Sequence, residues 1–236
     1  DCPQEAEDKE DCPICTDALP KLSIQFTRLT CCGKGLHDKC YKDLGATKSM
    51  TWEQKNTCIM CRTKVVADGS KEEIEQYREW VKKGKAWAMS LLARRYSNGI
   101  GVKQSDKKAI ELYEMAAKRG NATAQFNLGN CYNEGSHGLT QSSKRAIEYY
   151  TLAANQGMEQ AQYNLGYKYA RGDGIEQSNS KARKWWTKAA AQGMEQAINN
   201  LKVLDEHEGV KSSTTTPPEV VDANIISCST CGKQQT

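Results

Sequence analysis

The sequence predicts a mainly α-helical protein, in which a small metal-stabilised module precedes a solenoid of α-helical hairpins. Two observations lead to this class. Seven of the eleven cysteines lie between Cys12 and Cys61. From Gly84 onward the chain repeats itself with a period of 36 or 37 residues.

Composition sets the outer bounds. A chain of 236 residues can hold one sizeable core or two small domains. Its 33 basic and 29 acidic residues give a net charge of only +4, spread along the chain. A dedicated nucleic-acid surface concentrates its charge, so this balance argues against one. No apolar run approaches the roughly 18 residues needed to span a bilayer. The chain starts at Asp1, as a fragment or processed chain would, and no stretch near it resembles a signal peptide. An odd cysteine total favours a reducing compartment, hence the cytoplasm or nucleus.

The repeats begin after a sharp change in composition near Arg62. The glycines Gly84, Gly120, Gly157 and Gly193 mark their boundaries, which predicts units at 84–120, 121–157 and 158–193. A period of this length is that of stacked helical hairpins. In each first helix a small residue (Ala88, Ala124, Ala161) is followed four residues later by leucine (Leu92, Leu128, Leu165). Tyrosine comes four later again (Tyr96, Tyr132, Tyr169), building one apolar face. Ala93, Gly129 and Gly166 then leave room for a neighbouring helix to approach closely. The turn carries Gly99 and Gly101, Gly135 and Gly138, then Gly172 and Gly174, which suit a helix C-cap and a tight chain reversal, and Val102, Leu139 and Ile175 plug the hairpin from its turn. In each second helix Ala109, Ala146 or Ala182 precedes Tyr113, Tyr150 or Trp186 by four, and an Ala-Ala pair ends the helix. The flanking segments 71–83 and 194–209 match one helix of the unit each and read as caps. A short solenoid needs such caps for solubility.

This pattern, A-x3-L-(G/A)-x2-Y-x2-G-x-G-V…KA-x3-(Y/W)-x2-AA-x2-G, resembles the Sel-1-like repeat, a relative of the tetratricopeptide repeat, over about residues 84–209. The resemblance implies a protein-binding scaffold with an unidentified protein partner on the repeats. The middle unit carries one inserted residue in its turn (GSHG), which is expected to lengthen a surface loop only. Residues 210–227 are Ser/Thr/Pro-rich and read as a linker. In 228–236, Cys228 and Cys231 resemble the opening of a MYND-type zinc finger. Two ligands cannot close a structural site that needs four, so no ordered metal is expected there.

Residues 1–10 are acidic and read as a disordered tail. The module at 11–66 contains Cys12, Cys15, Cys31, Cys32, His37, Cys40, Cys58 and Cys61, enough ligands for two tetrahedral zinc ions. Three of the pairs have two intervening residues: "CPIC", "HDKC" and "CIMC". The segment resembles a RING finger, so the complete fold class is a small zinc-stabilised RING-like domain followed by a hairpin-repeat solenoid. The cross-braced scheme of that family implies one site of Cys12, Cys15, His37 and Cys40. The second site is then Cys31, Cys32, Cys58 and Cys61. The adjacency of Cys31 and Cys32 departs from the family pattern; in the alternative, one of them is a free neighbour and its site is incomplete. Both Zn2+ ions would be structural, each contributing on the order of 10–16 kcal/mol to folding a segment with few apolar residues.

The RING resemblance implies contact with a ubiquitin-conjugating enzyme through Ile14 and Trp52. It also gives Arg62 the role of bridging that enzyme and ubiquitin. Ile59 stands where the family usually has proline. Two functions are therefore expected: a RING-type ubiquitin ligase acting without a covalent intermediate or, alternatively, a non-enzymatic zinc-binding scaffold. No Cys/His/acid constellation is evident outside the ligand set, so a cysteine nucleophile is not expected. Cys131 reads as a core residue and His137 as a solvent-facing one.

Overall fold

The computed structural model describes residues 66–208 and two short strands, β1 (Phe26–Arg28) and β2 (Gly35–His37). The strands pair antiparallel, with Phe26 opposite His37 and Arg28 opposite Gly35. Within 66–208 the helices are α1 (Lys71–Lys82), α2 (Ala86–Asn98), α3 (Asp106–Lys118) and α4 (Ala122–Glu134). They continue as α5 (Ser143–Asn155), α6 (Glu159–Arg171), α7 (Asn179–Ala190) and α8 (Glu195–His207). Each helix packs on the next in chain order.

Local sequence fixes where the helices start and stop. α1, α3, α5 and α7 each begin at a serine N-cap (Ser70, Ser105, Ser142, Ser178) whose hydroxyl accepts from a first-turn N–H. α2, α4 and α6 end at Gly99, Gly135 and Gly172 in the left-handed conformation, which costs glycine nothing.

Small residues set the spacing within each hairpin. Ala88, Ala124, Ala161, Ala109, Ala146 and Ala182 are fully buried, with Leu128 and Leu165 beside them. A Cβ on Gly129 would lie 2.6 Å from the Tyr150 ring, and one on Gly166 would lie 2.6 Å from the Trp186 indole. The close approach expected of these glycines is therefore made by the aromatic of the second helix.

Polar joints tie successive hairpins together. Buried Gln125 donates to Ala117 O (3.2 Å) and buried Gln162 donates to Ala154 O (3.1 Å), each reaching back to the preceding second helix. Gln156 donates to Gln125 Oε1 at 2.7 Å, and Gln192 to Gln162 Oε1 at 2.9 Å. Pairing satisfies amides that would be costly to bury alone. The equivalent of Gln125 in the first unit is Met89, also buried.

The end of the array is written into α8. Lys202 stands where the preceding unit has Gly166, so a following second helix could not bring an aromatic ring as close. Leu201 is only partly buried, whereas Leu165 at the same repeat position is 1% exposed. Arg183 of α7 clamps α8 through Asp205 and, at 2.6 Å, through Glu208.

Candidate protein-binding face

The residues expected to bind zinc or a conjugating enzyme are almost all outside the described residues. This holds for Cys12, Cys15, Cys31, Cys32, Cys40, Cys58, Cys61, Ile14, Trp52 and Arg62, and for Cys228 and Cys231. His37 is the exception, as the last residue of β2. Among the described residues no group of three or more His, Cys, Asp or Glu could hold a metal ion. No described helix is long and apolar enough to cross a membrane.

The second helices present a recurrent surface. Lys108, Arg145 and Lys181 occupy one position in the first turn of α3, α5 and α7. Their charged groups lie 5.2, 5.2 and 5.4 Å from the ring centroids of Tyr96, Tyr132 and Tyr169. Each cation is thus held by the apolar tyrosine of the preceding helix. Arg145 also donates to Tyr132 Oη at 3.0 Å. Lys107 and Lys144 stand beside them, and all five cations are exposed. Among the described residues no carboxylate forms an ion pair with any of the five. A cation in the first turn opposes the helix dipole by about 0.3–1 kcal/mol, so this placement does not serve helix stability.

A groove of about 270 Å³ opens at the middle hairpin, lined by Tyr132, Arg145, Glu148, Tyr149 and Leu152. Tyr132 and Tyr149 stack with centroids 5.7 Å apart and rings 6° from parallel. Leu152 is 49% exposed, and Met115, at the same repeat position one hairpin earlier, is 45% exposed. This part of the surface combines cations, apolar side chains and one carboxylate, a composition suited to a polypeptide.

The Sel1 repeat family model matches residues 88–121, 122–158 and 159–194. A Sel1 repeat protein from Oxalobacter formigenes is 36% identical over 56% of this chain and 98% of its own, with a TM-score of 0.53. The chain belongs to the Sel1 repeat family. A protective antigen of uropathogenic Escherichia coli with an SLR fold is 31% identical over 59% of this chain and 30% of its own, with a TM-score of 0.54. No curated protein matches.

The middle Sel1 repeat departs from its neighbours at its inserted residue, which does more than lengthen a loop. In the outer repeats the turn glycine packs on the start of the preceding second helix. A Cβ on Gly174 would overlap Ser143 and one on Gly101 would overlap Gly69, whereas Gly138 has nothing within 4 Å. The insertion instead carries His137, at φ 55°, across to the preceding repeat. Its Nε2 lies 2.7 Å from Ser97 Oγ and 3.8 Å from Asp106 Oδ1, and its Nδ1 lies 3.6 Å from Cys131 Sγ. Asp106 is the repeat equivalent of Ser143, which donates to Asp173 at 2.7 Å. The same joint is thus rebuilt with different side chains, and His137 is half-buried rather than solvent-facing.

The fold therefore does bring Cys131, His137 and Asp106 together, which the spacing in sequence did not reveal. The cluster lacks the properties of a nucleophilic site. Burial pushes the Cys131 thiol up, away from the thiolate a nucleophile needs. Cys131 is 5% exposed, in keeping with its expected place in the core.

Proposed function

We propose that this Sel1 repeat protein is an adaptor, whose hairpin stack binds a protein partner while its cysteine-rich segment holds two structural zinc ions. The observation that carries this reading is the open groove of Tyr132, Arg145, Tyr149 and Leu152 on the middle repeat, with exposed cations at the position of Arg145 in the repeats before and after it. Binding surfaces of this kind are enriched in Tyr and Arg. The odd cysteine total supports a reducing compartment, the cytoplasm or nucleus, for the adaptor.

A second reading is favoured by the ligand spacing from Cys12 to Cys61. As a RING-type module it would position a ubiquitin-conjugating enzyme through Ile14 and Trp52, with Arg62 steadying ubiquitin, and the repeats would recruit the substrate. The two readings part in a ubiquitin-transfer assay with a panel of conjugating enzymes. Chains made by the wild type and lost in Ile14→Ala and Arg62→Ala support the ligase. No chains with any enzyme leaves the adaptor alone. Zinc content is measured on the same sample, and fewer than two ions per chain overturns the two-site assignment.

A further inference from the structure

We propose that the partner segment is an acidic peptide with an apolar anchor residue, docked along the edge formed by the starts of α3, α5 and α7. This rests on the adaptor reading and gives it a ligand chemistry. The edge carries Lys107, Lys108, Lys144, Arg145 and Lys181, all exposed. Three of the five are pre-positioned by tyrosine rings, so little side-chain freedom is lost when a carboxylate arrives. The groove beside Leu152 and Tyr149, of about 270 Å³, has room for one large apolar side chain next to Arg145.

The same geometry disfavours a polyanion such as RNA. Glu148 lines the groove and Glu111 occupies the equivalent position one repeat earlier, so a continuous phosphate backbone meets a carboxylate at two of the three repeats, with Lys184 at the third. The Tyr132 ring has Tyr149 stacked against it and Arg145 beside it, which leaves no free platform for a base. Spaced carboxylates around an apolar residue suit the surface better, with the peptide's acids meeting lysines and its anchor entering the groove.

Fluorescence anisotropy of the full chain with a fluorescein-labelled (Glu-Glu-Leu)4 peptide tests this. Saturable binding is expected, weakening as salt rises. Lys107→Glu/Lys144→Glu changes two exposed side chains that form no ion pair among the described residues, so folding is retained, and it should weaken binding about tenfold. Leu152→Ser should weaken binding by about as much, whereas it should leave binding to an all-Glu peptide unchanged. Binding that ignores the lysine reversal, or a single-stranded RNA bound more tightly than the peptide, overturns the proposal. If the acidic peptide fails while peptides from a random library bind elsewhere on the repeats, only the acidic-partner assignment falls. If no peptide binds at all, the adaptor reading falls with it.

Discussion

Gly166 lies against the indole of Trp186 so closely that a Cβ at 166 would stand 2.6 Å from its Cδ1 and Nε1. Two effects compete on replacing this glycine. Alanine is the better helix former by about 1 kcal/mol, but overpacking a rigid ring against a helix costs about 1–3 kcal/mol. Overpacking should win, because the ring is itself 5% exposed and cannot swing away. Gly166→Ala is expected to lower stability in urea unfolding by up to about 2 kcal/mol. Ala93→Gly should also destabilise, because the Ala93 methyl is fully buried in the core cluster that holds Tyr113.

The glutamine joints give a second test. Gln125→Ala removes two hydrogen bonds, but Ala117 O keeps its bond from Gly120 N and the Gln156 amide keeps Leu152 O, so the cost should be about 0.5–1.5 kcal/mol per bond lost, plus that of the emptied volume. Gln125→Met copies Met89 of the first repeat and keeps the volume, so it should cost less than Gln125→Ala. Equal losses from the two variants would mean that hydrogen bonding, not packing, holds the joint.

Arg95 provides the largest expected effect. Buried Arg95 and Glu73 meet at 2.9 Å, and Glu73 also accepts from Tyr77 Oη (2.9 Å) and Gly69 N (2.8 Å). Arg95→Met strands a buried carboxylate and should cost about 3–5 kcal/mol by thermal or urea unfolding. Adding Glu73→Gln to that variant should restore part of the loss, since the stranded charge is then gone.

Acid sensitivity follows from Asp68 and Asp173. The hydrogen bond and charge of Arg95 hold Asp68 below its ordinary 3.8. Asp173 is held below 3.8 chiefly by its bond to Lys168 and then by Ser143. A depressed carboxylate stabilises the fold above its unfolded pKa, and this contribution is lost as pH falls through the folded value. Asp173→Asn should therefore be less stable than wild type at about pH 6, and the two should converge toward about pH 2. A gap that persists at low pH would show that charge at Asp173 is not its source.

His137 joins the first two repeats, so its removal should loosen that joint locally. His137→Ala is expected to speed amide exchange around Ser97 and at the start of α3 while leaving α7 and α8 unchanged. Uniform acceleration across the stack would instead mark a global loss of stability.

The repeat stack was legible because each unit repeats the same packing problem. A period of 36 or 37 residues, with alanine, leucine and tyrosine at fixed positions, leaves few other ways to bury those faces. The single helices α1 and α8 that flank the three units could be read for the same reason. The glutamine joints were not apparent, since Gln125 and Gln156 bond across 31 residues and polar residues in a helix usually signal solvent. His137 reads as solvent-facing because an insertion looks like slack in a loop, and only the fold shows Ser97 and Asp106 facing it. The candidate face was likewise hidden: its cations and its groove come from different helices. The zinc ligand set, by contrast, rests on spacing alone.

The most direct test of the central claim compares proteins captured from cells by the full chain and by an Arg145→Glu/Leu152→Glu variant with an unchanged melting temperature. The account predicts that a defined set of proteins captured by the wild type is lost from the variant. Recovery of the same set by both chains would contradict it.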